Sequence, residues 1–220
     1  MISTQMHQED LDERIAVIIR LLDASHPDVG NGIAREMRGL AIVLLFASYE
    51  NLLRSLTRTL LEGAVSCKVS NSRLQPGFRL FTISSEAKSL RNVSEKKVFV
   101  HALPALLAKA NSRDRENTID TNSFPSDGTY FRRSQIEVWC EIFRIPNPKS
   151  LLQNIWPQID TVVRERNNIA HGELRPEEVG RRFTEAELRL LVENWHHDWT
   201  AFISKVEALG TSRDFFRTPR

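Results

Sequence analysis

Cysteine is scarce in this sequence, and the two cysteines that occur are isolated. Cys67 and Cys140 form neither a CxxC pair nor the closely spaced set of a disulfide framework. A reducing compartment is the simplest environment for such a chain. The first residues, MISTQMHQEDLDER, carry acids where a secretory signal would carry a basic and then an apolar stretch. Both observations predict a cytoplasmic protein.

Long apolar runs and the usual catalytic loops are also lacking. The longest apolar run, Leu40 to Ala47, is far shorter than the roughly 20 residues needed to cross a bilayer, so we expect no membrane span. The sequence has no glycine-rich phosphate loop, no nucleophile-elbow serine and no Cys–His arrangement. These absences argue against the common nucleotide-hydrolysing and serine- or cysteine-dependent enzymes.

One cluster of metal-ligand residue types occurs, at His196-His197-Asp198. Adjacent residues on a helix diverge by about 100°, so these three side chains cannot converge on one ion. Only Glu193 shares a helix face with His197, which leaves such a site incomplete. We therefore predict neither a metal nor another cofactor.

Lysine is rare relative to arginine. The sequence has 23 arginines and 7 lysines, and its formal net charge of +2 does not by itself indicate a polyanionic partner. The arginine guanidinium, however, forms planar bidentate hydrogen bonds with phosphate, which favours a phosphate-containing ligand. The length of 220 residues, with 41% hydrophobic and 26% charged residues, predicts one globular domain over residues 1–220.

Apolar residues recur at three- and four-residue spacing along most of the chain, and strand signals are nearly absent. A capping box, Thr184-x-x-Glu187, introduces the last helix. The tryptophans follow the helical spacing and are expected in the core. The pattern predicts an all-α antiparallel bundle of five to six helices. The first predicted helix ends near residue 26. The others cover residues 33–63, 86–111, 131–143, 148–171 and 184–209.

Two segments depart from this helical pattern. RLFTIS, residues 79–84, is predicted as a short extended piece, because it follows the break at Gln75-Pro76-Gly77. Residues 111–130 are polar and rich in turn formers, which predicts a long exposed loop.

The predicted helix over residues 148–171 carries an arginine inside its apolar stripe. We expect this helix to begin with Asn147 as N-cap and to stop at Gly172, a residue suited to the left-handed C-cap position. On a helical wheel, Arg166 falls near the centre of the stripe. A buried, unpaired guanidinium is strongly unfavourable, so its charge must be compensated.

Three compensations for Arg166 are open. The side chain can pair with a buried carboxylate of its own subunit, for which Glu50 is the candidate. It can keep only its stem in the core. Alternatively, the stripe can face a second subunit across a polar cleft. Glu50 also lies one turn before Arg54, a spacing that suits a simple surface ion pair.

His171 is predicted as the last helical residue, on the side opposite the apolar stripe. Asn167 lies one turn earlier, where its amide can orient the imidazole. An imidazole exchanges a proton near neutral pH, which suits proton-transfer chemistry.

The string R-N-N-I-A-H-G, residues 166–172, ends the penultimate predicted helix of this all-α chain. It resembles the signature of the HEPN superfamily, which consists of an arginine, a polar residue, a short spacer and a histidine. The resemblance includes a long apolar second helix with an embedded Glu-x3-Arg, here Glu50 and Arg54, and covers about residues 10–208. The branch that it most resembles contains stand-alone ribonucleases of prokaryotic toxin–antitoxin and abortive-infection systems.

The resemblance implies metal-independent RNA cleavage in a cleft shared by a homodimer, by a toxin or phage-defence effector. His171 would act on the attacking 2′-hydroxyl or the leaving 5′-oxygen, Arg166 would stabilise the charge on phosphorus, and Asn167 would order the site. Arg164 satisfies a longer spacing to His171 and shares its helix face, so the arginine that meets the phosphate is open.

The resemblance also bears on partners. RNA is the expected substrate, an antitoxin or regulatory protein is an expected partner, and neither DNA nor a membrane is expected. Some relatives carry a tyrosine two residues after the histidine, where an antitoxin attaches a nucleotide. Glu173 occupies that position here, so we do not expect this control. The competing hypothesis is a non-catalytic module of the same fold that binds RNA, a nucleotide or a protein.

Overall fold

The computed structural model describes residues 2–24, 31–90, 94–126 and 131–219. Helices dominate this part of the chain, and its only extended pairing is an isolated antiparallel bridge between Leu74 and Arg217. The all-α prediction is therefore confirmed. The helices are α1 Gln5–Asp23, α2 Asn31–Ser66, α3 Pro76–Leu80, α4 Ser84–Ser89, α5 Glu95–Lys97, α6 Leu103–Ala110, α7 Arg133–Phe143, α8 Pro148–Leu151, α9 Trp156–Ala170, α10 Pro176–Gly180, α11 Glu185–Gly210 and α12 Arg213–Phe216. A 3-10 turn at Asn71–Arg73 and a π-helical turn at Val98–Ala102 complete the described elements.

Helix α2 forms the centre of the bundle and packs against α1, α9, α10 and α11. Its predicted apolar stripe is buried, as are the four tryptophans of α7, α9 and α11. Burial of this apolar surface is the main stabilising contribution to the fold. By length and composition, residues 32–66 of α2 could cross a membrane, but 56% of an apolar 18-residue window within them is buried inside the protein, as in a core helix.

The two helices that flank α2 largely follow their predicted patterns. On α1 the residues at helical spacing, Leu11, Ile15, Ile18 and Leu22, are buried, whereas Ile19, which belongs to the same predicted stripe, is 40% exposed. On α11 the predicted capping box is present, because Thr184 Oγ1 accepts a hydrogen bond from Glu187 N, and the Glu187 carboxylate accepts one from Thr184 N. The predicted end of the first helix at His26-Pro27 lies outside the described residues.

The predicted single helix over residues 148–171 is wrong, because it is divided into α8 and α9. Pro157 lacks the N–H that a continuous helix needs and occupies the first turn of α9. The buried Asp198 carboxylate on α11 accepts hydrogen bonds from the backbone N–H groups of Asn154 and Ile155, at 2.9 and 3.2 Å. These bonds hold the turn between α8 and α9, in which Ile155 N also donates to Leu152 O at 3.1 Å.

The extended piece predicted at residues 79–84 is also wrong. Helix α3 ends at Leu80, and the chain turns before α4 begins at Ser84. The N–H groups of Phe81 and Thr82 bond to carbonyls three residues earlier, at 3.1 Å each. Local turn bonds therefore replace the ladder that a strand would require.

The predicted loop over residues 111–130 is irregular as far as residue 126, and residues 127–130 lie outside the described part. The loop is not wholly exposed, because Asn71 Oδ1 accepts from Thr118 N at 2.9 Å, and Asp120 N donates to Phe81 O at 3.2 Å. Ser123 is buried. The loop is thus tied to the 3-10 turn and to the segment after α3.

Glycines allow the short helix α10, which the sequence pattern did not predict, to lie directly on α2. A Cβ at Gly39 would lie 2.0 Å from Pro176 O, and a Cβ at Gly180 would lie 1.8 Å from Arg35 O. Arg38 Nε donates to Gly180 O at 3.2 Å. This crossing fixes the segment that follows α9.

Candidate functional site

Helix α9 places Arg166 half-buried against α2. The guanidinium carbon lies 4.4 Å from the centroid of the Phe46 ring, and Nη1 donates to Asn167 Oδ1 at 3.0 Å. Within the described ranges, no carboxylate forms an ion pair with Arg166. The contact with the aromatic face contributes only about 0.5–2 kcal/mol. Of the three predicted compensations, the structure thus matches the one in which the stem of Arg166 lies in the core and its charged end lies at the rim. Guanidinium N–H donors therefore stay available to an anion.

The arginine of α2 lies on the same group of aromatic rings. Arg54 Cζ is 5.0 Å from the ring centroids of both Phe124 and Phe131, and the Phe46 and Phe131 centroids are 6.2 Å apart. Arg54 Nη2 forms an ion pair with Glu50 Oε1 at 3.2 Å. The hypothesis that Glu50 neutralises Arg166 is therefore wrong, and the surface ion pair with Arg54 is observed.

Tyr49 is buried beside the rings of Phe46 and Phe131, and its hydroxyl donates a hydrogen bond to a backbone carbonyl, Phe131 O. Burial raises the pKa of Tyr49 well above its ordinary value, the negative charges of Glu50 and Asp160 raise it further, and Arg166 opposes them. Tyr49 is consequently a protonated donor rather than a base. Glu50 of α2 and Asp160 and Arg166 of α9 thus place charges of both signs around one buried hydroxyl.

Asp160 is held by the start of α7. Its carboxylate accepts hydrogen bonds from Arg133 Nε at 2.7 Å and Arg133 N at 2.9 Å. The carboxylate therefore anchors α7 to α9 beside the site.

His171 is the C-cap of α9 and is exposed. Gly172 follows with φ +73°, so the left-handed C-cap region predicted at this glycine is confirmed. His171 N donates to Asn167 O at 2.9 Å, but the Asn167 side chain holds Arg166 rather than the imidazole, which corrects the predicted role of that amide. Within the described ranges no hydrogen bond or ion pair holds the His171 ring.

Arg166 and His171 do not converge within one chain. Five residues of an α-helix rotate the side chain by about 500°, which leaves the two directions about 140° apart. A site that uses both groups on one phosphate therefore needs a second copy of α9 or a rearrangement of its last turn.

Glu165, which the helical pattern did not single out, lies between the two candidate arginines in the sequence and is only 2% exposed. It accepts from Arg182 Nη1 at 2.8 and 2.9 Å, from Arg164 Nη2 at 3.1 Å and from Asn168 Nδ2 at 3.2 Å. The helical spacing gives a signal for the burial of Glu165, because Glu165 lies three residues after the buried Val162, at the edge of the apolar stripe. Arg164 is thus already engaged with a carboxylate, whereas Arg166 is not.

The side chains of His196-His197-Asp198 on α11 do not converge on one point. His196 Nε2 lies 2.6 Å from Asp12 Oδ1, whereas His197 Nδ1 lies 3.1 Å from Asp198 Oδ1, which also accepts from Asn154 Nδ2 at 2.7 Å. In the part of the chain that the structure describes, no group of three or more His, Cys, Asp or Glu residues is arranged to hold a metal.

Comparison with known families gives one finding. A family model described as RiboL-PSP-HEPN matches residues 9–190, a range that includes α2, α9, α10 and the Arg166–His171 motif. No curated protein and no solved structure matches the chain.

Proposed function

Because the chain belongs to the RiboL-PSP-HEPN family, and hence to the HEPN superfamily, we propose that it is a metal-independent endoribonuclease. HEPN domains are associated with ribonuclease-type or nucleotide-binding functions. The proposal assigns Arg166 and His171 to the reaction and Asn167 to the orientation of Arg166. It also makes the protein a cytoplasmic toxin or phage-defence effector whose active form is a homodimer.

The observation that carries the proposal is the environment of Arg166. Its guanidinium is half-buried, oriented by Asn167 Oδ1 and supported by the Phe46 ring, and no described carboxylate neutralises it. A guanidinium in this state gains strong charge-assisted hydrogen bonds when a phosphate arrives. This favours Arg166 over Arg164, whose guanidinium is bound to Glu165.

The proposed reaction needs no metal or external reactant. The 2′-hydroxyl oxygen forms a bond to phosphorus, the bond from phosphorus to the 5′-oxygen breaks, and a 2′,3′-cyclic phosphate and a 5′-hydroxyl result. One base accepts the proton of the 2′-hydroxyl and one acid donates a proton to the 5′-oxygen. His171 serves in one of these roles, and Arg166 stabilises the negative charge that develops on phosphorus.

The proposed dimer accounts for the divergence of Arg166 and His171 on α9 without a rearrangement of the last turn. In a twofold arrangement, the His171 of one copy faces the Arg166 of the other, so that two equivalent sites form. The exposure of His171 and the rim position of Arg166 support this arrangement.

Purified protein is incubated with total RNA in EDTA, beside His171→Ala and Arg166→Ala. We expect each substitution to lower the cleavage rate by about 10²–10⁴-fold, as loss of an acid–base group or of a charge stabiliser does. His101→Ala and Arg58→Ala, which remove an exposed histidine of the π-helical turn and an exposed arginine of α2, are matched controls that should retain full activity. Equal activity in all five proteins would reject the assignment, and intact RNA in every reaction would favour the non-catalytic module.

The biological role has its own test. Expression of the intact chain should arrest bacterial growth, whereas His171→Ala at the same protein level should not. An antitoxin or regulatory protein would be identified as a factor that restores growth without lowering the amount of the chain. Growth arrest by both proteins would contradict a toxic ribonuclease.

A further inference from the structure

A second group of cations surrounds a small cavity where the chain leaves α2. This basic pocket has a volume of about 190 Å³. It is lined by one carboxylate and five basic side chains: Asp114, Lys68, Arg73, Arg113, Arg115 and Arg217. None of these cations belongs to the site at α9.

The cations of the basic pocket lack carboxylate partners. No ion pair involves any of the five within the described ranges, and Asp114 Oδ2 instead accepts from Ser112 Oγ at 2.7 Å. Arg73 Nη2 donates to Thr218 O at 2.9 Å, but the Nε atoms of Arg73 and Arg217 are buried without an acceptor in the described part of the chain. Buried donors without acceptors are unfavourable, so an anion that accepts from them would stabilise the pocket.

The helix dipole of α2 does not explain this concentration of charge. A helix C-terminus carries roughly half a unit of negative charge, which one cation balances. Lys68 lies two residues after that end, at Ser66, and has φ +48°, a left-handed conformation that usually favours glycine. Four further cations around the same cavity repel each other unless an anion is present.

The size and position of the pocket limit the ligand. Its volume of about 190 Å³ is below the roughly 300–1,000 Å³ of pockets that enclose whole small molecules, so it fits a phosphate group better than an entire nucleotide. Arg166 contacts Phe46 of α2. Lys68, which lines the basic pocket, lies 22 residues after Phe46, just beyond the C-terminal end of that helix. At 1.5 Å per residue, the pocket and Arg166 are about 30 Å apart.

We propose that the basic pocket is a second phosphate-binding site, which holds a backbone phosphate of the RNA about 30 Å from the phosphate at Arg166. The identity of the ligand as RNA rests on the proposed function, whereas the preference for a phosphate rests on the pocket itself. Contacts at two separated points select long RNA over short oligonucleotides and orient the strand across the protein.

The test measures RNA binding without cleavage. In a His171→Ala background, binding to poly(U) is followed by fluorescence anisotropy at several salt concentrations, with and without Arg113→Ala/Arg115→Ala. Each phosphate contact to a single strand contributes a salt slope of about 0.7, so loss of two contacts should reduce the slope by about 1.4. The affinity of the background protein should then fall about sevenfold more between 50 and 200 mM salt than that of the variant. Lys96→Ala/Lys97→Ala removes the same charge from exposed α5 and is the matched control.

Each outcome decides the proposal. A reduced slope in the arginine variant alone supports it. Equal slopes in all proteins, or equal reductions in both variants, would overturn it, because the pocket would then contribute nothing or only net charge. If inorganic phosphate raises the Tm of the background protein but not of the arginine variant, and RNA binding is unchanged, the ligand is a free anion and the RNA assignment fails. If the intact chain leaves RNA uncut but the predicted slope change is observed, the pocket stands and the ribonuclease proposal falls.

Discussion

Glu165 and Arg166 are adjacent on α9, yet their charges are compensated differently. The Glu165 carboxylate is buried and receives donors from two arginines and an asparagine. Arg166 has an amide oxygen and an aromatic face. Glu165 is therefore a residue that stabilises the end of α9, whereas Arg166 is available for a ligand.

Replacement of Glu165 should test this stabilising role. Glu165→Gln keeps the side-chain volume but presents an amide to two guanidinium groups, so the free energy of unfolding should fall by about 1.5–3 kcal/mol. Removal of one charge from a fully buried ion pair would lower the free energy of unfolding by about 3–5 kcal/mol. The loss should be smaller here, because Arg164 and Arg182 are 59% and 49% exposed and can hydrogen-bond with water instead. Urea denaturation gives the value. Glu62→Gln, in an exposed pair with Arg58, should change it by less than about 0.5 kcal/mol, and equal effects would contradict the assignment.

The two cysteines should react differently with thiol reagents. Burial raises the pKa of Cys140 to about 12, whereas Cys67 is partly exposed. At pH 8 one thiol should therefore react in the native protein and two after denaturation, as counted by absorbance with an aromatic disulfide. Rapid reaction of both thiols in the native state would show that Cys140 is accessible.

The raised pKa of Cys140 also makes the free energy of unfolding depend on pH. Above the ordinary thiol value of 9.0, the unfolded chain loses this proton while the folded chain keeps it. The free energy of unfolding should consequently fall as pH rises from 9.0 toward about 12, by at most about 1.4 kcal/mol per pH unit from this group. The buried Tyr49 hydroxyl acts in the same direction. Stability that rises over this range would contradict the burial of both groups.

At the scale of elements, the crossing of α10 on α2 determines where the chain goes after His171. Two glycines permit this contact, and larger residues would meet backbone atoms rather than flexible side chains. The segment that carries the histidine is thus fixed at one end by α9 and at the other by α2.

Gly39→Ala should therefore destabilise the protein although alanine favours helices. Its Cβ would lie 2.0 Å from Pro176 O, so α10 must shift, at a cost of about 1–3 kcal/mol or more. Gly32→Ala is the matched control, because the same helix offers open space there and a small gain of up to roughly 1 kcal/mol is expected. Thermal unfolding of both variants gives the comparison, and a stabilised Gly39→Ala would disprove the close packing.

Local patterns predicted the elements whose periodicity is long and regular, such as α2, α7 and α11. They failed where a distant group decides the local structure. The continuous helix predicted over residues 148–171 is interrupted before Pro157, and the acceptor that makes this break favourable, Asp198, comes from α11. The motif residues were identifiable from their order, whereas the role of Asn167 and the burial of Glu165 depend on side-chain directions that spacing alone does not give.

At the scale of the whole molecule, the proposal requires two copies of the chain. The divergence of Arg166 and His171 by about 140° is resolved when each phosphate meets one group from each copy. The native mass should accordingly be that of a dimer at micromolar concentration. A monomer that retains activity would contradict the shared site.

Mixed dimers should show directly whether the site is shared. Arg166→Ala and His171→Ala should each have little activity, but a heterodimer of the two has one site with both groups intact if the site is shared. Coexpression with different tags should therefore restore about a quarter of the wild-type activity in a statistical mixture. A mixture as inactive as its parents would place both groups of each site in one chain.

The central claim is that Arg166 and His171 direct the RNA 2′-hydroxyl to attack phosphorus without a metal. The most direct measurement identifies the RNA ends after incubation with the intact chain in EDTA, with His171→Ala as the reference. The account predicts 2′,3′-cyclic phosphate and 5′-hydroxyl ends that appear only with the intact chain. Cleavage that EDTA abolishes, that leaves 5′-phosphate ends, or that is equal in both proteins would contradict it.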